Sequence, residues 1–180
     1  MTGSTRFLVV IASVGAVIDQ ATKLWATRSL RPIGSKTIIE HYFDLEYSLN
    51  PGAAWSFLAD LPGGIRRTFF IVATIVASIV IVRLYRKASP ENRPLRWALA
   101  LLLAGAIGNL VDRVRQGRVI DFVVLHVRDQ FRWATFNVAD VWITVGLLLL
   151  LWDMVASKKA KALEPTAEEA RTGPKRRRRR

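Results

Sequence analysis

Four apolar stretches, separated by polar connections, set the pattern of this 180-residue chain. Each stretch is too short by itself to cross a bilayer core of about 30 Å, which takes about 20 helical residues. When the flanking residues are included, each stretch is long enough. We therefore predict four transmembrane helices, at about residues 7–27, 65–85, 95–112 and 138–156.

The first apolar stretch has features of a signal peptide, because Arg6 precedes it. The residues that follow it, from Asp19 to Lys23, make a poor cleavage region, and three more spans come later. We interpret the stretch as a retained helix. Small residues recur four apart in the first three helices, which favours close helix packing in lipid; they are Ala12/Ala16, Ala73/Ala77 and Ala100/Ala104/Gly108.

The two long connections, at about residues 35–60 and 117–136, are rich in β-branched and aromatic residues, which is typical of strands. The first contains the turn signal Asn50-Pro51-Gly52. The expected fold class is thus an all-α integral membrane protein with four transmembrane helices and a small extracytoplasmic β-sheet element. Residues 1–157 would form this domain.

Charge is concentrated at the end of the chain. Residues 158–180 hold ten Lys and Arg against three Glu, which accounts for +7 of the net +13. This tail could bind nucleic acid, but it directly follows an apolar segment, so anionic lipid headgroups or plain solvated disorder fit better. The positive-inside rule weakly favours cytoplasmic termini, with sixteen basic residues on that side and eleven on the other.

Two aspartates stand beside apolar segments, Asp121 within Val119-Ile120-Asp121-Phe122 and Asp140 at the start of the fourth helix. Ionisable residues at such borders are costly and suggest a functional site. If the run around Asp121 folds back over the bundle, the two carboxylates would meet. They would then share a proton, with one activating water while the other polarises a carbonyl.

Structural interpretations remain open for the other polar residues. Asn137 could cap the fourth helix with Asp140 in its first turn. Asp19 and Lys23 are spaced for an ion pair within one helix. Asn109 and Asp112 would share a helix face in the same way, and Arg113 could either pair locally or grip a peptide backbone.

Metal, thiol and disulfide chemistry find little support. The chain has no cysteine and only two histidines, His41 and His126, without a partner at metal-binding spacing. We expect neither a metal site nor a cofactor.

Taken in order, four motifs resemble those of the bacterial lipoprotein signal peptidases, or signal peptidase II, a family of membrane aspartic endopeptidases. They are Asp19-Gln20-Ala21-Thr22-Lys23, Asn50-Pro51-Gly52-Ala53-Ala54-Trp55, Gly108-Asn109-Leu110-Val111-Asp112-Arg113 followed by Gly117-x-Val119-x-Asp121-Phe122, and Phe136-Asn137-Val138-Ala139-Asp140. The resemblance covers about residues 7–156. One departure is Trp55, where the family more often has Phe.

The resemblance implies an endopeptidase of the bacterial cytoplasmic membrane that removes the signal peptide from diacylglyceryl-modified prolipoproteins, cutting before the lipidated cysteine. Asp121 and Asp140 would be the catalytic pair, at the outer face. Positions near the scissile peptide would be Asn50, Gly52, Asn109, Arg113 and Asn137, and supporting positions would be Asp19, Lys23, Asp112 and Ala139. The expected partners are lipidated prolipoproteins and membrane lipids, with the chain acting as a monomer and binding no nucleic acid.

Two rival functions remain. A small transporter or proton relay would use Asp19, Asp112, Asp121 and Asp140 as an intramembrane chain spread through membrane depth. A nucleic-acid-binding or partner-binding protein would depend on the basic tail. The peptidase hypothesis instead predicts that Asp121 and Asp140 lie together at one face.

Overall fold

The computed structural model describes residues 3–52, 62–128 and 130–163. Trp55 and the basic tail beyond residue 163 lie outside the described residues. Within the described ranges the chain forms four helices and four strands. In chain order these are α1 (Gly3–Ser29), β1 (Ser35–Ile39), β2 (Phe43–Asn50), α2 (Gly63–Lys87), α3 (Arg93–Gln116), β3 (Val119–Val127), β4 (Phe131–Arg132) and α4 (Val138–Leu163).

All four helices are long and apolar enough to cross a membrane, and the predicted fold class is confirmed. α3 is the central helix, because α1, α2 and α4 all pack against it. Half of the α3 span is buried inside the protein, against 6% of the α2 span, so α2 presents most of its surface to lipid. α4 continues to Leu163, past residue 156, where we expected the helix to end.

Two local signals fix the ends of α3. At its start the Asn92 side chain accepts a hydrogen bond from Leu95 N at 3.1 Å, which satisfies one of the free amides of the first turn. At its end Gly117 adopts a left-handed conformation, with φ 74°, and its N–H bonds to Arg113 O. The chain therefore reverses at once, and β3 begins two residues after Gly117, folded back beside the bundle.

The strands form one antiparallel sheet in the order β1-β2-β3-β4. Register pairs Ser48 with Asp121 and Asn50 with Val119, so the end of β2 lies beside the first half of β3. That half of β3 is buried, whereas β1 is exposed along its whole length. The sheet thus brings Asn50 to Asp121, although 71 residues separate them in sequence.

The larger apolar cluster lies at the end of the bundle away from the sheet, around Leu8, Tyr85, Leu99 and Leu103. A smaller one, around Ala26, Leu30 and Phe122, packs against the sheet. The small residues predicted to pack between helices are buried on α1 and α3, at Ala12, Ala16, Ala100, Ala104 and Gly108. The same prediction is wrong for Ala73 and Ala77, which are exposed. The reason is that α2 packs mainly on α3, so most of its small residues face outward.

Candidate active site

Asp121 is a carboxylate held by two amides. It is 1% exposed on β3. Asn50 Nδ2 donates to its Oδ2 at 2.9 Å, and Asn137 Nδ2 donates to its Oδ1 at 2.6 Å. Both oxygens therefore have a partner, as a buried carboxylate requires.

Asp140 lies in the first turn of α4, and it forms a reciprocal cap with Asn137. Asp140 N donates to Asn137 Oδ1 at 3.1 Å, while Asn137 N donates to Asp140 Oδ2 at 3.1 Å. This is a capping box, with aspartate in place of the more usual glutamate. The other oxygen, Oδ1, accepts from Asn109 Nδ2 at 2.9 Å.

Asn137 consequently fits both interpretations of its motif, the helix cap and the contact to the carboxylate pair. It caps α4 through its Oδ1, and the same amide reaches Asp121 through its Nδ2. The sequence left the cap and the carboxylate pair as alternatives, but the geometry combines them. The buried Asn137 side chain thus bonds to the Asp121 carboxylate and to the backbone N–H of Asp140.

Lys23 is the centre of a second polar cluster directly behind Asp140. Its Nζ lies 2.9 Å from Asp19 Oδ2, 2.9 Å from Asp112 Oδ2 and 2.9 Å from Asn109 Oδ1. The three donors of the ammonium group are thus all used. Asn109 links this cluster to Asp140, because its Nδ2 donates a hydrogen bond to Asp140 Oδ1.

The predicted pairing of Asp19 with Lys23 is present, but the cluster also ties distant segments together. Asp19 Oδ1 accepts from Ala139 N at 2.8 Å, and Asp112 Oδ2 accepts from Ile120 N at 3.1 Å. Gly108 permits this approach: a Cβ at that position would lie 2.5 Å from Asp19 Oδ2. The cluster therefore fixes the start of α4 and the start of β3 against α1 and α3.

Arg113 and Gly52 lie on the other side of the pair. The Arg113 guanidinium stacks on Phe70, 5.2 Å from the ring centroid, and within the described part of the chain it donates one long hydrogen bond, to Asn109 O at 3.5 Å. Gly52, with φ 91°, donates its N–H to Asn50 Oδ1 at 2.8 Å and leaves no room for a Cβ beside Phe70. This turn orients the amide that contacts Asp121.

Burial raises the pKa of Asp121 to about 6, and the nearby charge of Asp140 adds to the effect. Hydrogen bonds from Asn50 and Asn137 act in the opposite direction. A carboxyl group with such a pKa stays protonated at a pH well above 3.8, the usual pKa of aspartate. The two carboxylates thus differ in setting, one buried in the sheet and one at a helix N-terminus.

A groove of about 450 Å³ opens at Asp140 and follows α4 into the membrane region. Its apolar walls come from α4 and from the strands β3 and β4 with their flanks. The lining residues are Leu125, Trp133, Phe136, Asp140, Val141, Thr144 and Val145.

Two residues at the site were not predicted from the sequence, Gln20 and Phe70. Gln20 Nε2 lies 3.0 Å from Asp112 Oδ1 and 3.1 Å from Gly108 O. The Phe70 ring packs against the Arg113 guanidinium. A polar residue next to Asp19 inside an apolar helix was the available signal for Gln20. Among the described residues, no cluster of three or more potential metal-ligating side chains occurs.

Comparison with known proteins identifies the family. A family model described as signal peptidase (SPase) II matches residues 11–156. The chain belongs to the signal peptidase II family. It is therefore a multi-pass membrane aspartic peptidase, and the resemblance found in the motifs is confirmed.

Individual members of the signal peptidase II family agree over most of the chain. The lipoprotein signal peptidase of Geobacter metallireducens is 40% identical over 157 residues, which is 87% of this chain and 95% of that protein. The one from Pseudomonas putida is 44% identical over 145 residues, 81% of this chain and 84% of the relative. A solved bacterial membrane enzyme superposes with a TM-score of 0.74 at 30% identity, covering 88% of this chain and 93% of its own.

Proposed function

We propose that this signal peptidase II member removes the signal peptide from diacylglyceryl-modified prolipoproteins, by cutting the peptide bond before the lipidated cysteine. The names of its relatives, lipoprotein signal peptidases, support the substrate class. The groove at Asp140 supports the mode of access, because it is apolar and lies along a membrane-spanning helix. A lipid-anchored substrate would reach it by diffusing within the bilayer.

The observation that carries the mechanism is the bridge between the two aspartates. Asn137 bonds to Asp121 through its side chain and to Asp140 through its backbone N–H. Two carboxylates held this closely do not both ionise easily, so they hold one proton between them. We assign this proton to Asp121, because burial raises its pKa to about 6.

In the proposed reaction Asp140 acts as the base and Asp121 as the acid. Asp140 takes a proton from water while the water oxygen attacks the scissile carbonyl carbon, and Asp121 gives its proton to the carbonyl oxygen. In the second step the C–N bond breaks, Asp140 returns its proton to the leaving nitrogen, and Asp121 regains a proton from the diol. The products are a free acid and an amine, and the pair returns to its starting state.

The other site residues have positioning roles in this proposal. Asn50, Asn109 and Asn137 each donate an amide hydrogen bond to a catalytic carboxylate, which fixes its orientation. Among the described residues the Arg113 guanidinium donates one long hydrogen bond, to Asn109 O, so its remaining donors are available to a peptide carbonyl. Lys23 acts through Asn109, with Asp19, Asp112 and Ala139 holding the cluster in place.

The membrane arrangement is part of the same proposal. Both termini would be cytoplasmic, which places the sheet and the pair at the outer face, and the chain would work as a monomer. The four helices and the charge bias support this orientation. The basic tail would rest near anionic headgroups of the inner leaflet.

The test is cleavage of a purified lipidated prolipoprotein by the enzyme in lipid nanodiscs, with product masses measured. Asp121→Asn and Asp140→Asn should each remain folded and leave the precursor uncut, a loss of at least about 10³-fold. The wild-type product should begin with the lipidated cysteine. Glu46→Gln is the matched control, because Glu46 is a carboxylate of the same sheet that pairs with Arg132 at the surface.

Normal processing by either aspartate variant would rule out the pair. A product cut elsewhere would rule out the proposed bond while leaving the pair intact. An unlipidated precursor should be cleaved poorly, since it lacks the anchor that brings it to the groove.

A further inference from the structure

A second groove lies between α1 and α2 at the end of the bundle away from the sheet. Both helices pack on α3, which forms the floor. The groove has a volume of about 250 Å³. We call it the α1/α2 groove; Ala12 and Ser13 lie on one wall, Val82 and Arg86 on the other, and Leu103 on the floor.

The shape of the α1/α2 groove is built into the fold. Tyr85, which is 2% exposed, forms part of the wall, and its hydroxyl accepts hydrogen bonds from Arg96 Nη2 at 2.6 Å and Nε at 3.1 Å. The same guanidinium lies 5.0 Å from the centroid of the Tyr85 ring and 5.6 Å from that of Phe7. The wall is therefore fixed by three elements, so the groove does not depend on a ligand for its shape.

The surroundings restrict what can fill this groove. It is lined mostly by apolar side chains on membrane-spanning helices, where acyl chains replace water. From Thr5 to Ser13 it follows α1 for about 12 Å at the helical rise, close to the roughly 15 Å depth of one leaflet. An acyl chain that enters from the membrane surface matches this length.

Charge at the mouth of the groove selects the headgroup. Arg86 lines the groove at its surface end. Basic residues recur in the sequence at the same ends of the helices, at Arg6, Arg83, Lys87 and Arg93. A phosphate at the level of Arg86 would meet a positive field, and it would lie above its own acyl chain.

We propose that the α1/α2 groove binds one anionic phospholipid, with an acyl chain between α1 and α2 and the phosphate at Arg86. The lipid belongs to the leaflet opposite the catalytic pair. It would join α2 to α1 at the end where no sheet connects them. This site is separate from the peptidase chemistry and does not depend on the proposed substrate.

The test is native mass spectrometry of the full chain, released from nanodiscs that contain equal amounts of phosphatidylglycerol and phosphatidylcholine. The wild type should retain one phosphatidylglycerol. Ser13→Phe should abolish retention of either lipid by filling the groove, because Ser13 is exposed and its replacement does not disturb the core. Val14→Phe is the matched control, on the next position of α1, which is 51% exposed and does not line the groove.

The headgroup is tested separately with Arg86→Gln against Lys87→Gln. Arg86→Gln should lower the preference for phosphatidylglycerol about fivefold, the effect of one basic side chain near a lipid surface, while Lys87→Gln should not. Equal retention in Ser13→Phe and Val14→Phe would overturn the site. Displacement of the lipid by millimolar inorganic phosphate would also overturn it, because the ligand would then be a free anion.

Discussion

The two ends of the helix bundle differ in the residues that they bury. Away from the sheet, Leu8, Leu99 and Leu103 make an apolar core in which small residues let helices approach. Beside the sheet, the buried side chains include Asp19, Lys23, Asn109, Asp112, Asp121 and Asn137. The first end is held mainly by packing, whereas the second has, besides a small apolar cluster around Phe122, a connected set of hydrogen bonds and charges.

The difference shows what the polar end is for. Buried charges cost free energy unless they are paired and hydrogen-bonded, and a bundle does not need them for stability. Here Lys23 reaches Asp140 through Asn109, Asp19 accepts a hydrogen bond from Ala139 N in the first turn of α4, and Asp112 accepts one from Ile120 N at the start of β3. The polar end therefore trades stability for the placement of two carboxylates. Substitutions at the polar end should lower both stability and activity, whereas substitutions at the apolar end should lower stability alone.

The largest effect is expected for Lys23→Met. It leaves Asp19 and Asp112 buried without their cation, which should cost about 3–5 kcal/mol of stability. Activity should fall as well, because Asn109 loses the partner that holds it against Asp140. Thermal unfolding in detergent and the kcat of the remaining folded enzyme would measure the two effects; an unchanged kcat would contradict the positioning role.

At the apolar end, Leu99→Ala should lower stability by about 2–5 kcal/mol through the cavity it leaves. The kcat of the folded fraction should stay close to that of the wild type. This contrast is the sharpest distinction between the ends. A loss of kcat as large as that of Lys23→Met would mean that packing, too, sets the geometry of the pair.

The third prediction concerns pH. The folded pKa of Asp121, about 6, exceeds its ordinary value of 3.8, so the folded protein binds this proton more tightly than the unfolded chain does. The resulting stability is fully present below the ordinary value and is lost as pH rises through about 6, a change of about 3 kcal/mol at most. Since the proposed acid is the protonated form, kcat/KM should also fall above this pH.

Both pH effects can be measured with the same variant. Asp121→Asn should remove the decline in stability between pH 4 and pH 7, as followed by thermal unfolding. Glu46→Gln, at a partly exposed carboxylate of β2 that pairs with Arg132, provides the control. A wild-type kcat/KM that stays level up to pH 8 would contradict the assignment of the proton.

Gly108→Ala should have a smaller effect, about 1–3 kcal/mol of destabilisation, because the new methyl group would press on the Asp19 carboxylate. The displacement should pass to α4 through the bond between Asp19 and Ala139 N. Gly3→Ala is a control at an open helical position, where a Cβ meets nothing within 4 Å. Equal stabilities of the two variants would show that the contact relaxes freely.

The smallest effect is expected at the sheet surface. Arg132→Gln breaks an ion pair with Glu46, which joins β4 to β2, but both side chains are substantially exposed. Such pairs contribute less than about 1 kcal/mol. Unfolding curves at low and high salt should nearly coincide for wild type and variant, and a large gap would mean that this pair fixes the sheet over the site.

The sequence predicted the apolar framework well, because membrane spans depend on length and composition, which are local. It also singled out Asp121, since a carboxylate within Val119–Val124 has no ordinary place in a strand. Helix lengths were less accurate, and α4 runs seven residues further than expected, past Lys158, whose aliphatic stem suits a helix at a membrane surface.

Cross-chain contacts were harder to foresee. Spacing paired Lys23 with Asp19, but its equally short contact to Asp112 depends on how α1 packs on α3. Asn137 was predicted either as a cap or as part of the site, and only the register of β3 against the start of α4 shows that it caps α4 and contacts Asp121 at the same time. The stacking of Phe70 under Arg113 had no local signal, since Phe70 lies within a uniformly apolar helix.

The central claim is that Asp121 and Asp140 work as one unit. The most direct measurement is a double-mutant cycle of kcat/KM on the lipidated precursor, with Asp121→Asn, Asp140→Asn and the double variant. Residues that act as a unit are strongly non-additive, so the double variant should be no slower than the slower single variant. If the two losses instead multiply, each aspartate acts independently, and the shared-proton pair is wrong.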